Sequence, residues 1–481
     1  MKYEAVIGLE THAELLTESK LWCGCSTEFG QPANTQTCPV CLGMPGVLPV
    51  LNERALDLSI RAALAMNCRV NRRTYFDRKN YYYPDLPKNY QISQNYANLG
   101  EEGHVTVSTG DGDRQVGIWN VHLEEDAGKN VHPDDPGADY SLVDLNRAGT
   151  PLLEIVSAPD IRSVEEAECF MKTLRQILLY TKVSDCRMQE GSLRFEASIS
   201  LRQKGSQQLG GRVEIKNLNS MKAVTNCLSY EIDRQKRVLD RGDTVKRETR
   251  LWDQERNKSA RMRSKEEAQD YRYFPEPDLV EYRITDERLN EIRSRLPELP
   301  ADRRRRFVEE LGLSEYEAQV LTEDRDLADY FESVIGEYDA PGSAANWLMN
   351  DILGILNDRQ IGIAEFDVAP GELAELIRLE QEGRITANGA REVLPEMMET
   401  GRDATSLVEE LGLEAISGDD ELDPVIQQAM EEAPQAVEDY LGGKQEAIGA
   451  LVGQIMRLTQ GQADPKKAKE MLEDKLSEMD E

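Results

Sequence analysis

The hydrophobic period changes once along this chain, and that change limits what it can fold into. Up to about residue 290, short runs alternate apolar and polar residues: YEAVIGLETHAEL, HVTVSTG, RQVGIWNVHLEED, LRFEASISLR and GRVEIKNL. A period of two matches the pleat of a strand with one buried face. Helical stretches interrupt these runs at Asn52–Ala65, Val164–Thr181 and Met221–Arg241, so the class expected is α+β. After Tyr282 the apolar residues fall at helical spacing, in DERLNEIRSRLPELPADRRRRFVEELGL, LADYFESVI, NWLMNDILGILN and GELAELIRLEQEGRIT, and beyond about Gly401 a second helical set follows. The pattern predicts a mixed α/β body followed by two all-helical units.

A length of 481 residues agrees with about three domains. Hydrophobic residues make up 40% and charged residues 30%, which excludes wholesale disorder. No run approaches the roughly 18 apolar residues of a membrane span, and the first residues, MKYEAVIGLETHAELL, lack the apolar core of a secretory signal. A soluble, cytoplasmic protein without a membrane partner is expected. The formal net charge of -32 repels nucleic acid at long range but leaves room for a local basic groove.

Of eight cysteines, Cys23, Cys25, Cys38 and Cys41 cluster as C-x-C, twelve residues, then C-x-x-C. Two close thiolate pairs across a polar loop can form a tetrahedral zinc site, closed and therefore structural. The alternative is four reduced thiols without metal.

In VIGLETHAEL, alternation puts Gly8, Glu10, His12 and Glu14 on one strand face. Glu10 and His12 then stand about 7 Å apart, within reach of one divalent ion. A second acidic cluster, His122, Glu124, Glu125 and Asp126, strengthens that reading. Further strands offer Arg194 and Glu196, and Glu214, Lys216, Asn217 and Asn219. Carboxylates with an imidazole suit Mg²⁺ or Mn²⁺ on phosphate oxygens. A solvated polar face is the other reading of each pair. FDRKNYYYPDLPKNYQISQ interleaves Lys79 and Lys88 with tyrosines, fitting either a phosphate or nucleic-acid contact or a rigid packed loop. There is no Walker A loop, no G-x-G-x-x-G opening a helix after a strand, and no G-x-S-x-G elbow. The chain is a poor candidate for hydrolysing an amide itself.

VIGLETHAEL, CPVCLGMPGVLPVLN, FDRKNYYYPDLPKNYQISQ, HLEEDAGK, SLVDLNRAGTPLLEIVSAPD, EGSLRFEASISLR, EIKNLNS, DYRYFPEPDL and GALVGQIMRLTQGQADP occur in this order. Together they resemble the B subunits of glutamine-dependent aspartyl/glutamyl-tRNA amidotransferases over essentially the whole chain. The resemblance implies a ligase component. It would phosphorylate the side-chain carboxylate of Glu-tRNA(Gln) or Asp-tRNA(Asn) with ATP, then amidate it with ammonia channelled from an amidase subunit, GatA. A small subunit, GatC, would complete a heterotrimer. It implies a catalytic cradle at 1–293 with a zinc-binding insertion at 23–41, a helical domain at 294–405 and a tRNA-binding helical tail at 406–481.

By the same resemblance Glu10, His12 and Glu125 hold Mg²⁺, with Glu124, Glu214, Lys216 and Asn217 at the nucleotide. Lys79, Lys88 and Glu196 would serve the reaction or line the ammonia passage. The family usually reads SLR-Cys-Asp-Ala-Asn-Val-Ser where this chain has SLRFEAS, so the reach of Glu196 and the role of Ser198 are in question. Arg457, Lys466, Lys467 and Lys469 are the expected basic patch of the tail. Two other readings are a tRNA-binding scaffold without catalysis and a metal-dependent phosphotransferase on a small molecule.

Overall fold

The computed structural model describes residues 2–480 apart from 111, 134–136, 265–269, 417 and 460. Contacts divide it into two compact units, Met1–Asp302 and Arg303–Glu481.

The first unit is built on a nine-stranded sheet. In chain order its strands are β1 (Tyr3–Glu14), β2 (Arg69–Val70), β3 (Gly100–Thr109), β4 (Gly112–Glu125), β5 (Pro151–Ser157), β6 (Leu193–Gln203), β7 (Val213–Lys216), β8 (Glu248–Asp253) and β9 (Lys258–Ser264). Their order across the sheet is β9-β8-β7-β6-β1-β5-β4-β3-β2, so the first strand lies at the centre. Every pairing is antiparallel except β7 with β8.

The period of two sorts the residues as the sequence suggests. Ile7, Leu9, Thr11 and Ala13 of β1 are buried, with Leu153 and Ile155 of β5, Val121 and Leu123 of β4, and Phe195, Ala197 and Ile199 of β6. Helices α1 (Glu53–Ala65), α2 (Val164–Tyr180) and α3 (Met221–Asp240) contribute Leu56, Leu58, Phe170, Leu174, Val224 and Leu228 to the same core. Each such side chain removed from water is worth roughly 1.5–3 kcal/mol, which pins the register of every strand. Asn52, Ser163 and Ser220 cap the three helices with their side chains, and Asn52 therefore precedes its helix instead of opening it. The opposite face of the sheet is left to polar residues.

The second unit is helical and holds two hydrophobic cores. One runs from Phe307 to Val408 and the other from Leu422 to Leu476. The helix Ala404–Leu411 packs its Ala404, Leu407 and Val408 into the first of these, so the break between the cores falls after it and not at 406. The helix Asp286–Ser294 belongs to the sheet's core through Leu289 and Ile292.

Candidate active site

The polar face of the sheet gathers its charge at the centre. β1 pairs Glu10 with Val156 of β5 and Glu196 of β6, and His12 with Glu154 of β5. β5 pairs Glu154 with His122 of β4. Residues opposite one another in adjacent strands share a face, so Glu10, His12, Glu154, His122 and Glu124 converge. His12 Nε2 lies 3.4 Å from Glu154, 3.6 Å from Glu10 and 3.9 Å from Glu124. His122 Nε2 lies 3.2 Å from the same Glu154 carboxylate. One ligand atom from each of Glu10, His12 and Glu154 falls within 4.8 Å of the others, as does one from each of His122, Glu124 and Glu154.

The charges shift one another. Burial, then the neighbouring Glu154 carboxylate, pushes Glu10 up to about 7. Burial alone would lower His12, but Glu154, Glu124 and Glu10 carry it up to about 9. Burial opposes ionisation of Glu154, yet His122 and His12 hold it well below the usual carboxylate range. Glu124 Oε2 is buried without a hydrogen-bond partner among the described residues. A buried carboxylate oxygen with no donor is costly, and two carboxylate–imidazole groups around it are the donor chemistry of a divalent cation.

Glu10, His122, Glu124 and Glu154 line a polar cavity of about 460 Å³ that also takes in Lys79, Asn120, Lys216, Arg247, Tyr271 and Tyr273, and His12 stands behind Glu10 and Glu154. Lys79 comes from a short strand, Asp77–Asn80, paired with Tyr90–Ser93. Its Nζ stands 5.2 Å from the Tyr271 ring centre and makes no ion pair among the described residues. Burial would lower Lys79, but Glu124, Tyr273 and Glu154 outweigh it and keep the ammonium charged. Lys216 Nζ holds Glu196 at 2.7 Å and reaches Glu214 at 3.8 Å.

Residues 5–290 match the model of the GatB/GatE catalytic domain, and residues 329–476 match that of the GatB domain. Similar proteins include the B subunits of the aspartyl/glutamyl-tRNA(Asn/Gln) amidotransferases of Carboxydothermus hydrogenoformans and of Caldanaerobacter subterraneus subsp. tengcongensis. Each is 50% identical over 99% of this chain and 100% of its own length. This chain belongs to the GatB family.

In this GatB-family cleft stand Glu10, Glu124, Glu214, Lys216 and Lys79, with His12 against Glu10 and Glu196 alongside as the partner of Lys216. Glu125 does not join them. It follows Glu124 on β4, so its side chain leaves the opposite face, where it is buried against Lys88 and accepts from the Ile92 amide at 2.8 Å. Lys88 is thereby also separated from Lys79; it lines a different cleft, with Cys23, Cys41 and Glu125. Asn217 is taken up by the backbone, its amide donating to the Trp252 carbonyl at 3.0 Å. The acid that the sequence reading missed is Glu154. Its one signal is alternation in PLLEIVS, where Glu154 interrupts an apolar strand on the face opposite Leu153 and Ile155.

The four clustered cysteines come together in space, each offering a sulfur within 4.8 Å of the rest, and none is in a disulfide. The Cys38 amide donates to Cys41 Sγ at 3.1 Å, and Lys20 Nζ stands 3.8 Å from the same sulfur. A hydrogen bond from Cys23 pulls Cys41 down to about 4 against its burial, with help from the Cys38 amide and Lys20. Four sulfurs with an amide donor and a cation beside them suit a thiolate-bound metal. Phe195, at the departure from the usual family sequence, packs in the core, whereas Ser198 turns to the polar face and donates to the Gly8 carbonyl at 3.4 Å.

Proposed function

We propose that this chain carries out the synthetic steps of a tRNA-dependent amidotransferase. An oxygen of the side-chain carboxylate of Glu-tRNA(Gln) or Asp-tRNA(Asn) attacks the γ-phosphorus of ATP, and ADP leaves. Ammonia then attacks the acyl phosphate carbon, the carbon–oxygen bond breaks, and inorganic phosphate departs as the amide forms. The observation that carries this reading is the convergence of Glu10, Glu124, Glu154 and His122, with His12 against them, beside Lys79 and Lys216 at one polar cavity, in a chain 50% identical to named B subunits.

Glu10, His12, Glu124, Glu154 and His122 would hold a divalent ion such as Mg²⁺, which supplies charge neutralisation at phosphate oxygens. Lys79, which makes no ion pair among the described residues, would take the substrate carboxylate or a transferring phosphate oxygen. Lys216, held by Glu196, presents a second cation at the same cavity. Tyr271 and Tyr273 wall the cavity beside Lys79, and exclusion of water there would protect an acyl phosphate from hydrolysis.

Ammonia would come from a GatA-type amidase, with a GatC-type protein completing the complex. Met44, Leu48, Val50, Tyr82 and Tyr83 are exposed apolar or aromatic residues of the first unit, and such surface suits a protein interface. The four cysteines would hold structural zinc beneath it. The helical tail would bind tRNA, although Arg457, Lys467 and Lys469 each already face an acid, Glu432, Asp419 and Glu473. That leaves the tail less basic than its composition suggests.

The test uses the chain assembled with its amidase and small subunits, Glu-tRNA(Gln) and γ-labelled ATP, with no ammonia source. Formation of ADP that requires the mischarged tRNA supports the reading. ADP formed equally without tRNA, or none at all with either mischarged tRNA, would refute it.

A further inference from the structure

Three helices around the Leu422–Leu476 core, Asp419–Glu432, Pro434–Leu441 and Pro465–Asp480, border a groove of about 760 Å³. Pro434 has no amide hydrogen with which to continue the first of them and opens the second at its first position. The chain turns at Ala433, whose φ of -124° and ψ of 55° are not helical. The two helices then present one apolar line to the groove: Met430, Pro434, Val437 and Leu441, at steps of four, three and four.

The other wall comes from the end of the third helix. Its Leu472 and Leu476 are fully buried in the core, whereas Lys475 and Met479, a turn apart, line the groove. Met479 is 59% exposed. Apolar surface in a concave line marks an interaction site, and methionine on both walls lets them re-pack around a guest.

The charge around the groove narrows the choice of guest. Glu431 and Glu438 stand exposed on its rim. Lys475 is the cation that lines it, and its Nζ is 2.7 Å from Asp423. Such a rim repels phosphate. Lys466, Lys467 and Lys469, the lysines offered to tRNA, lie at the opposite end of the Pro465–Asp480 helix, about 15 Å away along its axis.

We propose that this groove docks an amphipathic helix of a protein partner, apolar on one face and flanked by lysine or arginine. An apolar line at steps of four and three is matched by a helix with anchors at i, i+3 or i+4 and i+7. Its flanking cations meet Glu431 and Glu438. RNA would bring phosphates to those acids, and a second copy docked groove to groove would set them against themselves.

The probe is a labelled synthetic helix with leucines at i, i+3, i+4 and i+7 and lysines on its flanks, followed by fluorescence anisotropy with the full chain at about 150 mM salt. A scrambled isomer of the same charge and a counterpart with glutamate for lysine are the controls. The patterned peptide should bind at least tenfold tighter than either. Met430 and Met479 are not buried, so Met430→Gln with Met479→Gln keeps the core and should weaken binding about tenfold. Glu431→Gln with Glu438→Gln, wholly on the surface, should weaken it and flatten its salt dependence. Affinity for tRNA should be unchanged in both double variants. Equal binding of the patterned and scrambled peptides, or binding unchanged in both double variants, would overturn the proposal. So would a loss of tRNA affinity in the methionine variant, which would assign the groove to RNA, or a dimer of the chain that this variant abolishes, which would assign it to a second copy.

Discussion

Glu154 lies between His12 and His122, 3.4 Å and 3.2 Å from their Nε2 atoms, and belongs to both groups of candidate ligands. Glu154→Gln keeps the shape and removes the charge, so Mn²⁺ affinity, followed by electron paramagnetic resonance, should fall at least tenfold. Glu125→Gln is the contrasting substitution. It should change Mn²⁺ affinity by less than about threefold, yet cost about 3 kcal/mol in urea unfolding by leaving Lys88 buried without its partner. Equal effects of both variants on Mn²⁺ would return Glu125 to the site. Glu10 and His12 are legible in the sequence because they share one strand and its period. Glu154 is not, because nothing in PLLEIVS says which strand will lie beside it. Nor does the sequence show that Glu124 faces the polar cavity while Glu125 faces Lys88, because a one-residue step along a strand changes the face.

At the level of elements, α3 is fastened to the β8–β9 edge by a buried ion-pair network. Glu231 of α3, its side chain fully buried, takes Arg234 at 2.8 Å, Arg250 of β8 at 3.4 Å and the Ser259 hydroxyl of β9 at 2.5 Å. Burial works against its charge, but Arg234 and Ser259 hold the carboxyl below its ordinary value of 4.5. Its contribution to stability is therefore present above the unfolded value and lost as pH falls through the lower folded one. Glu231→Gln should cost about 3 kcal/mol at pH 7, and its gap from wild type in urea midpoint should close below about pH 4.5. A gap that widened in acid would contradict this account of the edge. The long elements are readable in sequence, α1 to α3 to within a residue or so, because each carries an amphipathic period and a cap. The four-residue strands that deliver Lys79 and Gln91 are not, because so short a run has no period and is held by tertiary pairing.

For the molecule as a whole, the change of period after Tyr282 separates a sheet-based unit from a helical one, and each unit closes its own cores. A chain of residues 303–481 should therefore fold by itself, with a helical circular dichroism spectrum and a cooperative melt; a featureless melt would show that its cores need the first unit. No described helix is long and apolar enough to cross a membrane. The net charge of -32 repels RNA in bulk, so tRNA binding has to come from local cation–phosphate contacts, and its affinity should drop between 50 and 200 mM salt as those contacts are lost.

Carboxylate activation, as proposed, belongs to the Glu10–His12–Glu154 cluster. The direct measurement is formation of Gln-tRNA(Gln) or Asn-tRNA(Asn) by the assembled complex, with ammonium chloride replacing glutamine so that the amidase is bypassed, for wild type, His12→Ala and Glu154→Gln. Product from wild type with a loss of at least 10²-fold in both variants is the expected result. Full product from both variants, with the same tRNA bound, would contradict the account and move the chemistry elsewhere in the chain.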